Sequence, residues 1–282
     1  GCTPFDVFLN HEPERFRFIL GNGERWGVTL QCHLVREADK PYQRIRHVLS
    51  SSESSSPVLL AHGNRLPQIN GIYDSIGTLP LAFFCNSSDC APEQFINGQW
   101  SGTALVAPEW FESVNDDTTE ETICEHFSEH QQSGGVRCSY STFLDVRTHA
   151  GLLQANLAVL RKEFNGLLFK NNEIENQVWL SRNIVLHPTA RIHPPVYIAQ
   201  NCRIGRNVQL GSGAVIAENC VIDTGATVER SMVLPNSYIG EGLELTDAFV
   251  DKNRLINTRL GSDIALTEDF ILGNLGKKPQ VR

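Results

Sequence analysis

Residues 197–223, YIAQNCRIGRNVQLGSGAVIAENCVID, carry an aliphatic residue at every sixth position. The period extends beyond this stretch in both directions, and a second apolar position lies two residues before each aliphatic one. The aliphatic positions are Leu186, Ile192, Ile198, Ile204, Leu210, Ile216, Ile222, Val228 and Leu234, and the positions two before them are Ile184, Ala190, Val196, Cys202, Val208, Ala214, Cys220, Ala226 and Met232. A helix repeats every 3.6 residues and a strand every two, so neither element alone explains a period of six.

A period of six is typical of a solenoid built from short strands. Each hexad can form one strand and one turn, three hexads can close a triangular coil, and stacked coils bury one another's apolar edges. The pattern resembles the left-handed parallel β-helix of hexapeptide-repeat proteins. It predicts about three complete coils between Ile184 and Leu234, with all nine aliphatic residues facing inward. We predict a β-helical domain over residues 178–272, ending in a C-terminal cap because the period lapses after Leu234.

The composition limits the classes of function. A chain of 282 residues suits about two domains of about 150 residues each. A net charge of -8 disfavours a nucleic-acid or anionic-membrane surface, so neither kind of partner is expected. No run of 18 apolar residues and no signal-peptide pattern is present, and we expect the chain in the cytoplasm.

Eight cysteines are scattered through the chain without a Cys-x-x-Cys pair, which predicts neither a zinc site nor a disulfide scaffold. Cys202 and Cys220 lie 18 residues apart and should stack in adjacent coils. We expect both to be reduced, buried thiols that serve as packing.

The segment before the β-helix predicts an α/β domain. The expected elements are a strand over 5–10, a helix over 13–20, strands over 28–35 and 57–64, and a helix from a Thr118–Glu121 capping box to about His130. Residues 139–164 are expected to run from a strand into an amphipathic helix with Leu152, Leu153, Asn156, Leu157, Leu160 and Phe164 along one face. The first three elements form a β-α-β unit.

The order of these pieces resembles a sugar-phosphate nucleotidyltransferase, or NDP-sugar pyrophosphorylase. The segments DVFLNHEPERFRFILGNGERWGVTL, PVLLAHGN, WSGTALVAPEWF and FLDVRTHAGLLQANLAVL precede a β-helix, as in that family. The resemblance implies a Rossmann-like nucleotidyltransferase domain over residues 1–165 that begins at the family's second strand. The family's Gly-rich phosphate loop and its Pro-Lys-Pro stretch have no counterpart in these 282 residues.

The resemblance also implies two positions for the family's Mg²⁺. Asn64 in HGN aligns with the first metal-binding aspartate, and Asp145 in FLDVR aligns with the second. Because Mg²⁺ favours carboxylates, an amide at one position predicts a weakened metal site. No catalytic residue is assigned, and Asn64 and Asp145 can equally be read as turn and helix-start residues.

Two histidines allow a different chemistry. Many hexapeptide-repeat proteins are acyltransferases that use a histidine as general base, and His187 and His193 lie at predicted corners of the coil. Each is followed by a proline, which also fits a solvated turn.

Three functions therefore remain open. The first is a nucleotidyltransferase-like pseudoenzyme, related to NDP-sugar synthesis or polysaccharide biosynthesis, that acts in regulation or assembly. The second is an active nucleotidyltransferase that is truncated here or completed by another chain, and the third is a hexapeptide acyltransferase. The expected partners are a sugar phosphate or nucleotide sugar, an enzyme of nucleotide-sugar metabolism, and a second copy of the chain, forming a dimer through the β-helix.

Overall fold

The computed structural model describes residues 4–37, 40–50, 56–67, 81–85, 100–123, 137–140, 143–164 and 172–276. The chain divides into two compact units. The first comprises Gly1–His62 and Ile69–Thr142, and the second comprises Gly63–Gln68 and Phe143–Arg282. Within the described part of the chain, no helix combines the length and the apolar character needed to cross a membrane.

The elements before the solenoid alternate between strands and helices. The strands are β1 (Phe5–Leu9), β2 (Leu30–Leu34), β3 (Val58–Ala61), β4 (Arg65–Pro67), β5 (Leu81–Cys85), β6 (Trp100–Val106), β7 (Arg137–Tyr140) and β8 (Phe143–Asp145), and the helices are α1 (Pro13–Leu20), α2 (Pro41–Ser50) and α3 (His149–Leu160). Strands β1 and β2 pair in parallel, with α1 between them in the sequence. The predicted β-α-β unit is therefore confirmed.

A second sheet of the first unit has the order β3-β6-β5-β7. Its core joins Val106, Phe111 and Ile123 to Tyr42 and Ile45 of α2. Burial of these apolar side chains is the main term that stabilises this unit.

The predicted capping box is displaced by one residue. The Thr119 N–H donates to Thr122 Oγ1 at 2.8 Å, and the Thr122 N–H donates to Thr119 Oγ1 at 3.4 Å. This reciprocal pair satisfies the first donors of a helix that begins at Glu120, so the Thr118–Glu121 assignment is wrong. The rest of the predicted helix, beyond Ile123, lies outside the described residues.

The larger part of the second unit, from residue 172 onward, is a β-solenoid of about four turns. Its strands are β9 (Asn172–Glu175), β10 (Val178–Leu180), β11 (Val185–Leu186), β12 (Arg191–Ile192), β13 (Val196–Ile198), β14 (Arg203–Ile204), β15 (Gln209–Leu210), β16 (Ala214–Ile216), β17 (Val221–Ile222), β18 (Thr227–Glu229), β19 (Met232–Val233), β20 (Ser237–Ile239), β21 (Glu244–Thr246), β22 (Ala248–Asp251), β23 (Arg254–Asn257), β24 (Ser262–Ala265) and β25 (Leu272–Asn274). They form three sheets, in the orders β24-β23-β22-β19-β16-β13-β10-β9, β11-β14-β17-β20-β25 and β12-β15-β18-β21. From β10 to β22, each strand pairs in parallel with the third strand after it, as a triangular coil requires.

The interior of the solenoid is apolar and closed. Ile198, Leu210, Ile216, Ile222 and Val228 are fully buried. Ile204 is 1% exposed, so the prediction that these period-six residues face inward is confirmed. Cys202 and Cys220 are free and buried, as predicted. Their thiols donate to the carbonyls of Ala217 at 3.0 Å and Leu234 at 3.2 Å, and the neighbouring Cys202 and burial raise the pKa of Cys220.

One of the nine predicted inward positions is wrong. Leu186 is in register with the inward-facing Ile204, and it is 38% exposed because the first coil has no neighbour on one side of its sheet. Later, the coil shortens from 18 to 17 residues, so that Val233 rather than Leu234 pairs with Ile216 and is fully buried. Ser231 then takes the small inner position in place of Met232, and its hydroxyl donates to the Glu229 carbonyl at 2.7 Å.

The repeat also continues further than predicted. Ile239, Leu245 and Val250 keep the inward position in a 17-residue coil beyond Leu234. The cap begins only after this coil. Strands β22, β23 and β24 pair antiparallel, and β25 returns antiparallel to β20, which covers the end of two sheets.

Helix α3 packs on one outer face of the solenoid. One outward residue from each of β10, β13, β16, β19 and β22 stacks on the next to form an apolar stripe. In strand order these residues are Trp179, Tyr197, Val215, Met232 and Phe249. Leu160 packs against Trp179 and Val215, and the His149 ring lies 5.1 Å from that of Phe249. The sheet of β12, β15, β18 and β21 carries Arg191, Gln209, Thr227 and Glu244 at its paired outer positions. The apolar stripe therefore explains which face α3 covers.

A ladder of asparagines runs along one corner of the solenoid. Asn183 donates through Nδ2 to Asn201 Oδ1 at 3.1 Å, Asn201 to Asn219 at 3.0 Å, and Asn219 to Asn236 at 3.2 Å. All four residues have positive φ values, between 56° and 62°. Asparagine tolerates this left-handed conformation and supplies both a donor and an acceptor.

Substitution of Asn219 should separate these two contributions. We expect Asn219→Gly, which keeps the left-handed corner, to lower the free energy of unfolding by about 1 kcal/mol through the lost ladder bonds. Asn219→Ala should lower it by about 2 kcal/mol because alanine also strains the corner. Urea denaturation of both variants measures the difference, and an alanine variant as stable as the glycine variant would contradict the strain argument.

Candidate functional site

The two aligned metal positions lie on one small ribbon of the second unit. Strands β4 and β8 pair antiparallel, with Arg65 opposite Asp145. The Val146 N–H donates to the Asn64 carbonyl at 2.9 Å, which places Asn64 beside the same ribbon. The structure therefore brings Asn64 and Asp145 to adjacent positions of the backbone.

The Asp145 carboxylate is held by its near neighbour Arg147. The Arg147 Nε lies 2.9 Å from each carboxylate oxygen, its second guanidinium nitrogen lies 2.5 Å from Oδ2, and its backbone N–H donates to Oδ1 at 3.0 Å. The Arg147 side chain, more than any other group, lowers the pKa of Asp145 to about 2. Asp145 is therefore a fully ionised partner of a fixed cation at neutral pH.

The first turn of α3 packs closely against the backbone of Asp145. Thr148 is the N-cap, and its hydroxyl accepts the Gly151 N–H at 3.0 Å. A Cβ on Gly151 would lie 2.4 Å from the Asp145 carbonyl oxygen, so only glycine fits this close approach. The turn between β8 and α3 therefore sets the position of Asp145 and Arg147 together.

These residues do not fit a magnesium site. Mg²⁺ favours carboxylate oxygens that are free to coordinate it, whereas both Asp145 oxygens accept from Arg147 and position 64 offers only an amide. Among the residues that the structure describes, no cluster of three or more His, Cys, Asp or Glu side chains could hold a metal. Sequence reasoning missed Arg147, although the Asp-x-Arg spacing was visible after β8.

His187 is tied into the turn that follows it. Its Nδ1 accepts the Thr189 N–H at 3.2 Å and lies 2.9 Å from the Thr189 hydroxyl, which in turn accepts the Asn207 N–H at 2.9 Å. An accepting Nδ1 assigns the ring proton of the neutral imidazole to Nε2, so the basic lone pair on Nδ1 is engaged by the Thr189 N–H within the turn. His193 is exposed, and its backbone N–H donates to the Leu210 carbonyl at 2.8 Å.

Comparison with known proteins finds a family that the solenoid is similar to. Residues 174–275, a little over a third of the chain, match the family described as the GMPPB C-terminal domain. No curated protein matches the chain. A candidate glucose-1-phosphate thymidylyltransferase from Bacillus anthracis, solved in complex with sucrose, is 13% identical, with a TM-score of 0.47 over 59% of this chain and 79% of that one. The solenoid of this chain is therefore similar to the domain that the GMPPB C-terminal family describes.

Proposed function

We propose that this chain is a nucleotidyltransferase-like protein of NDP-sugar metabolism that does not itself transfer nucleotides and acts in regulation or assembly. The observation that carries this proposal is the Asp145–Arg147 pair. Nucleotidyl transfer needs a metal held by carboxylates to neutralise charge on the transferred phosphate. Here the Arg147 guanidinium pairs with Asp145, the one carboxylate at the two positions aligned with the family's metal ligands, and Asn64 stands at the other position.

The proposed ligands follow from the family. A protein that keeps the architecture without the chemistry can still bind a sugar phosphate or a nucleotide sugar, and can report its level to a partner enzyme of the same metabolism or of polysaccharide biosynthesis. Nucleic acid is a poor partner for a chain with a net charge of -8. We propose the cytoplasm as its location.

The direct test is nucleotidyl transfer by the purified chain. NTP, Mg²⁺ and a panel of sugar 1-phosphates are incubated with it, and the NDP-sugar formed is compared with a no-protein control. We expect no product above that control.

Assembly is proposed to occur through the β-helix as a homodimer. Among the described strands, β11 and β12 have a neighbour on one side only, and Val185 of β11 is 58% exposed. The unpaired backbone N–H and C=O groups of such an edge strand can pair with a strand of another chain. A second copy offers the same edge, which a two-fold interface can use.

Light scattering at micromolar concentration should give twice the mass of one chain. Val185→Lys should shift the mass toward a monomer because it places a charge at the exposed edge. Gln209→Lys, on an exposed outward position of β15, serves as the control and should leave the mass unchanged. A monomer mass for the unsubstituted chain would contradict the proposal.

The two alternatives make different predictions. An active nucleotidyltransferase completed by another chain would form an NDP-sugar once that chain is added. A hexapeptide acyltransferase would bind acyl-CoA and would need His187 or His193 as base. The Nδ1 contacts of His187 with Thr189 disfavour that residue in the role.

A further inference from the structure

A cleft of about 1000 Å³ opens beside α2 in the first unit. One wall is formed by Lys40, which directly precedes the helix, and by a polar face of the helix that carries Gln43, Arg44, His47 and Ser50. Their spacing of three and four residues places them on one side of the helix. The opposite side carries Tyr42 and Ile45, which are 3% and 8% exposed in the core, so packing fixes the polar face toward the cleft.

The other wall combines the carboxyl end of β2 with the turn at Asp116 and Asp117. The acids of this wall are already paired. The Lys40 Nζ lies 2.8 Å from Asp117 Oδ1 and 3.6 Å from Glu37 Oε2. Arg46 pairs with Asp116 and donates to the Val114 carbonyl at 2.6 Å. These pairs link the two walls, and the lining has four Lys and Arg side chains against three Asp and Glu, a net charge of +1.

Two guanidinium groups of the cleft have no acidic partner among the residues that the structure describes. Arg36 and Arg44 are exposed and line the cleft, and no carboxylate of the described residues lies within 4.0 Å of either. The chain as a whole is acidic, with 32 Asp and Glu against 24 Lys and Arg. A local excess of positive charge in a concave site therefore departs from the general character of the molecule.

The chemistry of these groups selects the ligand. A guanidinium offers parallel N–H donors that match the geometry of phosphate oxygens. The Gln43 amide and the Ser50 hydroxyl add neutral donors along the same wall. We propose that this cleft binds the phosphate or pyrophosphate group of a small molecule, with Arg36 and Arg44 as its principal ligands. At about 1000 Å³ the cleft has room for a molecule larger than the phosphate group itself.

This site does not depend on the proposed function. It uses residues of the first unit, whereas the argument against nucleotidyl transfer rests on Asp145 and Arg147 of the second. A chain that transfers nucleotides could still have this site, and a chain that does not could lack it.

The test is calorimetric titration of the full 282-residue chain with pyrophosphate near physiological salt. We expect saturable binding that weakens about tenfold in Arg36→Gln and about tenfold in Arg44→Gln, because each removes a charge-assisted pair. Arg36→Lys keeps the charge without the planar fork and should weaken binding less than Arg36→Gln. Arg206→Gln, an exposed arginine of the solenoid, is the charge-matched control and should bind as the unsubstituted chain does.

Two results would overturn the proposal. The first is absence of pyrophosphate binding by the unsubstituted chain. The second is a loss of affinity in Arg206→Gln equal to that in Arg44→Gln, which would indicate only non-specific attraction. Circular dichroism of each variant confirms that a loss of binding is not a loss of fold.

Discussion

Ile216→Asp is expected to destabilise the β-solenoid strongly. Ile216 is fully buried, and it stacks between Ile198 of one neighbouring coil and Val233 of the other. A carboxylate there has no partner in the apolar core, and an uncompensated buried charge costs about 3 to 5 kcal/mol. Because a domain is stable by only about 5 to 15 kcal/mol, this single change removes much of its stability.

The matched control places the same residue on the outside of the solenoid. Gln209 is exposed on β15, one position before the buried Leu210. Gln209→Asp should lower the free energy of unfolding by less than about 1 kcal/mol, mainly through the low strand propensity of aspartate. Chemical denaturation followed by circular dichroism measures both variants, and equal stabilities would show that residue 216 does not face the core.

The sequence predicted the solenoid well because the period of six has a direct physical cause. Each buried residue must recur at the same point of every coil. The six aliphatic residues that lie six apart between Ile198 and Val228 are all buried as predicted. The shortened coil was missed because Val233 and Leu234 are both apolar, so either can continue the pattern. The residue two places earlier distinguishes them. The narrow interior accepts Ser231, which is fully buried, whereas Met232 packs outside with Trp179.

The candidate site was less predictable from the sequence. Alignment placed Asn64 and Asp145 at the family's metal positions, but the pairing of Asp145 with Arg147 depends on the turn between β8 and α3. That turn is fixed by the Thr148 cap and by the close approach of Gly151 to the Asp145 carbonyl. Contacts of this kind come from local backbone geometry, which residue types and spacing do not specify. The cleft beside α2 was missed for a similar reason, since its walls come from α2, the end of β2 and the turn at Asp116 and Asp117, which are far apart in the sequence.

Substitutions at the aligned metal positions are expected not to create nucleotidyl transfer. Neither Asn64→Asp nor the double variant Asn64→Asp with Arg147→Gln should form an NDP-sugar from NTP, Mg²⁺ and sugar 1-phosphates. The transition state differs from the ground state chiefly in where negative charge lies, and each missing electrostatic group costs about 10²- to 10³-fold in rate. The 282 residues contain no Gly-rich phosphate loop, so restored carboxylates act without the contacts that hold the triphosphate.

The variant series separates two causes of inactivity. If Arg147 alone blocked the site, Arg147→Gln would release the Asp145 carboxylate, and product would appear that Asp145→Ala abolishes. If the phosphate contacts are also needed, every variant stays at the no-protein level, including Asp145→Ala. Pyrophosphate release by the unsubstituted chain, lost in Asp145→Ala, would show instead that Asp145 takes part in catalysis despite its pairing. We expect uniform inactivity, because Arg147→Gln removes a competitor for the carboxylate but adds no group that can bind the transferred phosphate.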